Sequence, residues 1–311
     1  MDDPDLNNPA IADVTTLVGM RFGTRDLKFF PRRMARTSLM GGHHSRTRGR
    51  GMDFEEVRQY QPGDDIRSID WRVTARTLTP HTKLFREERE RPILVITDLR
   101  PNMFFGSKML KSITACQLAA ALGWAGLNAN DWVGGLIIGA EQHREIRARR
   151  SSHSVLQLIH QLRDFSELLT RSVPGKYSMV DIMRDSRRVA LPGSTLFLIS
   201  DFHDLNKDCE QHLFELARHC DVNLCQIHDP LEKQLPPPAL YQVNDGNQQF
   251  SLNTRSRELR EEFEQHFLRH QARLRQLCTQ LRMGLMAFET GTSVIPILQQ
   301  TYSRKKSGRH P

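Results

Sequence analysis

Two short apolar runs, each ending on an aspartate, constrain this chain more than anything else in it. Ile93-Leu94-Val95-Ile96-Thr97 leads into Asp98, and Leu196-Phe197-Leu198-Ile199-Ser200 leads into Asp201. Runs of this length without polar alternation read as strands buried on both faces, and such strands need helices above and below. The surrounding sequence supplies them. Residues 108–126 carry Met109, Ile113, Cys116, Ala120 and Trp124 at helical spacing, and residues 152–165 place Val155, Leu158, Ile159 and Leu162 on one face. Further strands are expected at 132–138, 143–147, 222–227 and 285–288, and further helices at 205–220, 255–282 and 293–301. A hairpin insert is expected over 236–253, turning at Asn244-Asp245-Gly246-Asn247. This alternation predicts an α/β fold: a three-layer, doubly wound, mostly parallel sheet with an N-terminal extension.

Charge divides the chain further. The formal net charge is +8, and residues 21–50 hold nine bases against one acid, Asp26. Gly41-Gly42-His43-His44 and Gly49-Arg50-Gly51 deny that stretch a core, so residues 1–51 are expected to be a flexible basic arm. Residues 52–90 form a denser segment with a turn at Pro62-Gly63-Asp64-Asp65, with Trp71, Leu78 and Leu84-Phe85 as apolar anchors. The main domain is expected over 91–303 and a basic tail over 304–311. No run approaches the 18 or so apolar residues of a membrane span, and the acidic start (Asp2, Asp3, Asp5) lacks the apolar stretch of a secretory leader. Five cysteines outside CxxC spacing read as buried thiols in a reducing compartment, which makes the cytoplasm the expected address.

In an open parallel sheet, ligands bind outside the carboxyl ends of the strands, where strand order reverses. Asp98 and Asp201 both fall there. Carboxylates at that edge suit a divalent cation, although an aspartate after a strand also caps the next turn, and spacing alone leaves both readings open. The loop after Asp98 narrows the choice, because it places Arg100 and Asn102 two and four residues on. A guanidinium has no acceptor and repels a metal, so Arg100 is expected to sit where a cation would and to neutralise Asp98, with Asp201 as a further partner. No cofactor is expected, and Mg²⁺ is disfavoured by Arg100. The chain also lacks GxxxxGK[ST] and GxSxG, which removes a P-loop and a nucleophile elbow.

Arg50, Asp53, Tyr60, Pro62, Gly63, Asp64, Asp65, Arg67, Asp70, Trp71 and Arg76, continuing through Lys83, Phe85 and Glu87-Glu88, resemble the signature of the domain of unknown function 58 family. The resemblance extends over roughly residues 45–303. That family is similar to von Willebrand factor A domains, and its members resemble partners of MoxR-type AAA+ ATPases. The resemblance therefore implies a von Willebrand factor A-like fold and a metal-ion-dependent adhesion site, usually Asp-x-Ser-x-Ser after the first strand. Here that motif is Asp98-Leu99-Arg100-Pro101-Asn102: Asp98 and Asp201 match and both serines are replaced.

The leading expectation is a non-enzymatic interaction module that works with a MoxR-type AAA+ ATPase in protein assembly or activation. Asp98, Arg100, Asn102 and Asp201 would form its partner-binding site, with Arg100 receiving a partner's carboxylate in place of a metal. Asp98 and Asp201 are also the candidate metal ligands of a rival reading, a metal-dependent hydrolase or nuclease. A third reading gives the basic arm an anionic membrane surface or nucleic acid as its partner, nucleic acid being the weaker fit. No small-molecule substrate is expected, and the inner face of the membrane is the alternative to a purely cytoplasmic address.

Overall fold

A computed structural model describes residues 8–27, 52–62, 64, 66–87, 92–171, 175–244 and 249–302; of residues 52–56, 84–87, 243, 244 and 250 it describes the backbone alone. The chain divides into two compact units, residues 33–90 and residues 1–32 with 91–311.

The main unit begins with α1 (Val14–Gly19), whose N-cap Asp13 accepts the backbone N–H groups of Thr15 and Thr16. This segment is anchored, not free. Ile11, Ala12, Leu17 and Leu27 are buried, the Ala12 N–H donates to Ser166 Oγ at 2.9 Å, and Trp124 Nε1 donates to the Leu17 carbonyl at 3.2 Å. The expectation of a flexible arm over 1–51 is thereby corrected for residues 8–27. Val14, Leu17 and Val18 recur at helical spacing in α1 and Ile11 is buried just before it, a pattern that the nearby arginines obscure. Residues 28–51, with Arg50 and the Gly/His cluster, lie outside the described residues, as does the tail 304–311.

In the smaller unit, β1 (Met52–Gln59) pairs antiparallel with β2 (His81–Glu87), and α2 (Trp71–Thr77) lies in the connection. Asp64 organises the turn by accepting from Arg58 Nη2 at 2.7 Å and from the Gln61 N–H at 2.9 Å. Asp70 caps α2 through the Arg72 and Val73 N–H groups and lies 3.5 Å from Lys83 Nζ. Arg58 thus serves the Asp64 carboxylate and Lys83 that of Asp70. The Tyr60 N–H donates to the Pro80 carbonyl, Pro62 is exposed, and Arg67 sits in the single turn Ile66–Ser68. Trp71 and Leu78 are not anchors: they are 68% and 89% exposed, because α2 turns Val73 and Thr74 inward and Thr74 Oγ1 accepts the His81 N–H. Gly63 and Asp65 lie outside the described residues, as do the side chains of Asp53, Leu84 and Phe85.

The main sheet uses β3 (Ile93–Asp98), β4 (Val133–Ile138), β5 (His143–Arg149), β6 (Thr195–Ser200), β7 (Asp221–His228) and β10 (Gly284–Glu289) in the order β10-β7-β6-β3-β4-β5. All neighbours are parallel except the β4–β5 edge pair. Between them run α3 (Lys111–Asn128), α4 (Ser152–Leu168), α5 (Met179–Val189), α6 (Lys207–His219), α7 (Pro230–Lys233), α8 (Arg257–Leu281) and α9 (Val294–Tyr302). Alternate residues of each central strand enter different cores. Ile93, Val95, Phe197 and Ile199 pack with α1, α3, α4 and α9, while Leu94, Ile96, Leu196 and Leu198 pack with α5, α6 and α8. This is the three-layer, mostly parallel fold that the two apolar runs predict. The insert is present as β8 (Leu240–Asn244) paired with β9 (Gln249–Asn253), its turn lying outside the described residues. No described helix is long and apolar enough to cross a membrane, and all five cysteines are free thiols.

Candidate functional site

From β3 the chain moves to β4 and β5 on one flank and then returns to β6 on the other, so strand order reverses between β3 and β6. The crevice outside their carboxyl ends is where this class of sheet places its ligands. Asp98 ends β3 and Asp201 follows β6, and each begins a column of alternating charge.

In the first column Arg100 folds back onto Asp98. Its backbone N and its Nε donate to Oδ1, both at 3.0 Å, and Nη2 donates to Oδ2 at 2.9 Å. Ser200 Oγ donates to the same Oδ2 at 2.7 Å and accepts the Phe202 N–H. The outer edge of the guanidinium grips Asp204, Nη1 to Oδ2 at 2.8 Å and Nη2 to Oδ1 at 3.0 Å, while Nη1 also reaches the Tyr177 carbonyl at 3.3 Å. The order from inside out is carboxylate, guanidinium, carboxylate. Asp98 is 1% exposed and the Asp204 side chain 40% exposed.

The second column repeats the arrangement with an ammonium. Lys111 Nζ donates to Asp201 Oδ2 at 2.7 Å and to Glu232 Oε1 at 2.6 Å. Asp201 Oδ1 accepts from Asn102 Nδ2 at 2.9 Å and from the His203 N–H at 3.1 Å. Glu232 is fixed by the capping box of α7, its Oε2 accepting the Asp229 N–H at 2.9 Å. Asp229 in turn accepts from the Ser107 N–H and Oγ, the Leu231 N–H and Thr290 Oγ1. The outer Glu232 side chain is 31% exposed, and Phe104 and Phe105 stand exposed beside this face.

The proton affinities follow from these contacts. Burial opposes charge on Arg100, but hydrogen bonds to Asp204 and Asp98 outweigh it and raise its pKa well above the ordinary value. Burial likewise opposes charge on Lys111, and the neighbouring Asp201 and Glu232 reverse the balance upward. Asp204 is desolvated, yet its bonds to Arg100 hold it below the usual carboxylate range. Arg100 and Lys111 therefore both carry their charge at neutral pH.

These residues do not fit a divalent metal. Each Asp98 oxygen already accepts two donors, Asp201 accepts three, and a metal would have to displace two buried cations. Among the described residues there is no group of three or more His, Cys, Asp or Glu side chains arranged to hold one. Arg100 neutralises Asp98 as its chemistry predicts. Its second partner is Asp204 and not Asp201, which belongs to Lys111 and Asn102. The expectation that Arg100 awaits a partner's carboxylate is also corrected: it is buried, and the chain's own Asp204 fills that position bidentately. Lys111 and Glu232 are the residues that motif reasoning missed.

The fold and site define an α/β protein in which the carboxyl-end edge of the sheet is closed by the chain's own ion pairs. The chain belongs to the family described as "protein of unknown function DUF58", which matches residues 56–273. It is similar to the uncharacterized proteins Rv1480 of Mycobacterium tuberculosis and Mb1516 of Mycobacterium bovis, each 27% identical over 243 residues that cover 75% of this chain and 73% of the relative. Similar solved structures include the conserved hypothetical protein BatB from Bacteroides thetaiotaomicron, with 14% identity, a TM-score of 0.44 and coverage of 68% of this chain and 96% of that one. A von Willebrand factor type A structure from Catenulispora acidiphila has 12% identity and a TM-score of 0.32, over 48% of this chain and 35% of that one.

Proposed function

We propose that this chain is a non-enzymatic interaction module that works in the cytoplasm with a MoxR-type AAA+ ATPase in the assembly or activation of other proteins. Its strand-end face acts as a degenerate, metal-free adhesion site. The observation that supports this reading is the pair of carboxylate–cation–carboxylate columns, in which Arg100 and Lys111 hold the positions between Asp98, Asp201 and the surface. A metal-loaded edge would offer a partner a positive charge. This edge offers the outer carboxylates of Asp204 and Glu232 beside the exposed rings of Phe104 and Phe105. Carboxylates retain lone pairs after accepting one or two bonds, so the complementary partner presents a lysine or arginine flanked by apolar surface.

The test is binding of the full chain to the MoxR-type ATPase encoded in the same genome, at constant Mg²⁺ and nucleotide. Phe105→Ala and the pair Asp204→Asn/Glu232→Gln are each expected to weaken binding about tenfold or more. Thermal unfolding of the chain alone should be unmoved by millimolar Mn²⁺ or Mg²⁺. Absence of any complex would refute the partnership, and a metal-dependent rise in Tm lost in Asp98→Ala would refute the metal-free site.

A further inference from the structure

The smaller unit carries a surface that this interaction does not use. At about 100° per residue, Trp71, Ala75 and Leu78 share an arc of roughly 60° on α2, while Val73, Thr74 and Thr77 point elsewhere. Those latter residues are tied to the hairpin: Thr74 Oγ1 accepts the His81 N–H, and Thr77 Oγ1 lies 3.1 Å from His81 Nδ1. Trp71 and Leu78 are therefore exposed on a helix whose other side is satisfied, and Ile66 in the turn before it is exposed as well. Arg72 and Arg76 lie about 60° and about 100° beyond one edge of that arc, both exposed. Among the described residues, the nearby carboxylates of Asp64 and Asp70 are engaged with Arg58 and Lys83 rather than with these two arginines.

Leu78 sharpens the point. It closes α2 in the left-handed conformation, φ 59° and ψ 12°, where glycine or asparagine is the favoured residue. A leucine there is conformationally unfavourable, and at 89% exposure it gains no burial in return. An exposed apolar wedge edged by arginines combines the two forces that hold a protein on an anionic bilayer, burial of side chains at the headgroup boundary and attraction to lipid phosphate. A face two helical turns long falls well short of the ~800 Å² per partner that a stable protein complex buries, whereas a lipid surface needs no matching shape.

We propose that α2 docks the chain onto an anionic lipid surface, with Trp71 and Leu78 entering the headgroup region and Arg72 and Arg76 pairing with phosphates. The experiment is co-sedimentation of the full chain with phosphatidylglycerol-rich vesicles and with pure phosphatidylcholine vesicles. Wild type is expected to bind only the former. Leu78→Gly, which suits the left-handed position, should keep or raise Tm while binding about tenfold more weakly, and Trp71→Ala should weaken binding at least as much. Arg72→Glu/Arg76→Glu should remove the salt-sensitive part of the affinity. Failure of wild type to bind, or equal binding by Leu78→Gly and Trp71→Ala, overturns the proposal; the latter would assign binding to basic segments elsewhere. Self-association that Leu78→Gly abolishes, with no vesicle binding, would assign the face to a second copy and overturn it too. The partnership with the ATPase is measured without lipid, so the two readings fail separately.

Discussion

Lys111 opens α3 with a charge of the wrong sign, since the N-terminal end of a helix carries partial positive charge. It is also the one charged residue in an otherwise neutral and largely buried helix. Only anions close at hand reconcile that position with stability, and Asp201 and Glu232 supply them at 2.7 and 2.6 Å. Lys111→Met should therefore cost about 3–5 kcal/mol in urea unfolding, because it leaves buried Asp201 short of its cation; adding Asp201→Asn should recover a large part of the loss. Arg100→Lys tests geometry apart from charge. It keeps the cation but cannot make the two-sided fork to Asp98 and Asp204, and should lose about 1–3 kcal/mol. On the acid side, Asp229 is desolvated, but its bonds, Thr290 first, hold its pKa below the usual carboxylate range. A lowered folded pKa gives stability that is present above the unfolded value near 3.9 and lost as pH falls through the folded one. Asp229→Asn should flatten the acid limb of the stability–pH curve below about pH 4 without changing its slope near neutrality. Asp98, Arg100 and Asp201 were legible because they sit at fixed offsets from unmistakable strands. Lys111 was legible only through the helix dipole, a signal that motif spacing does not carry.

At the scale of elements, both outer carboxylates are held by short helices that apolar periodicity passes over. α5 is polar on most of its surface, and its inward residues Met179, Ile182, Met183 and Ser186 give no long apolar run. Its clearest mark is Ser178-x-x-Asp181, a capping box in which Ser178 and Asp181 satisfy each other's backbone N–H groups. The first N–H of α5, from Met179, donates to Asp204 at 2.9 Å, and the Tyr177 carbonyl just before it accepts from Arg100. α7 is only four residues long, yet its capping box sets Glu232 against Lys111. Ser178→Ala should thus lower stability by about 1 kcal/mol in thermal or urea unfolding and also loosen Asp204, read as faster amide exchange at Met179. The strands were legible because burial on two faces leaves uninterrupted apolar runs. The direction of β5 was not, because its polar sequence fits an edge strand of either sense. At that edge a Cβ on Gly134 would lie 2.7 Å from the Ala148 nitrogen and the Ile146 oxygen, so the β4–β5 pairing depends on glycine there.

For the whole molecule, the decisive feature is which parts of the chain complete the core. The basic segment draws attention through its charge, yet residues 8–27 contribute Ile11, Ala12, Leu17 and Leu27 to buried positions, and Ala12, Leu17 and Leu27 join the core that α3 and α4 share. Net charge reports solubility and partners but not fold, which is why an excess of arginine concealed a structural segment. Removing residues 1–27 would expose the Trp124 indole, whose N–H would lose the Leu17 carbonyl, and would leave Ser166 Oγ without the Ala12 N–H. Burial of the two leucines alone accounts for roughly 3–6 kcal/mol, a large share of the 5–15 kcal/mol that usually separates folded from unfolded chains. The deletion is therefore expected to yield a chain with red-shifted tryptophan emission, a Tm lower by roughly 10 °C and a tendency to aggregate. If the 1–27 deletion unfolded like wild type, the segment would be an accessory to the core, and the contacts of Leu17 and Ala12 would carry no stability.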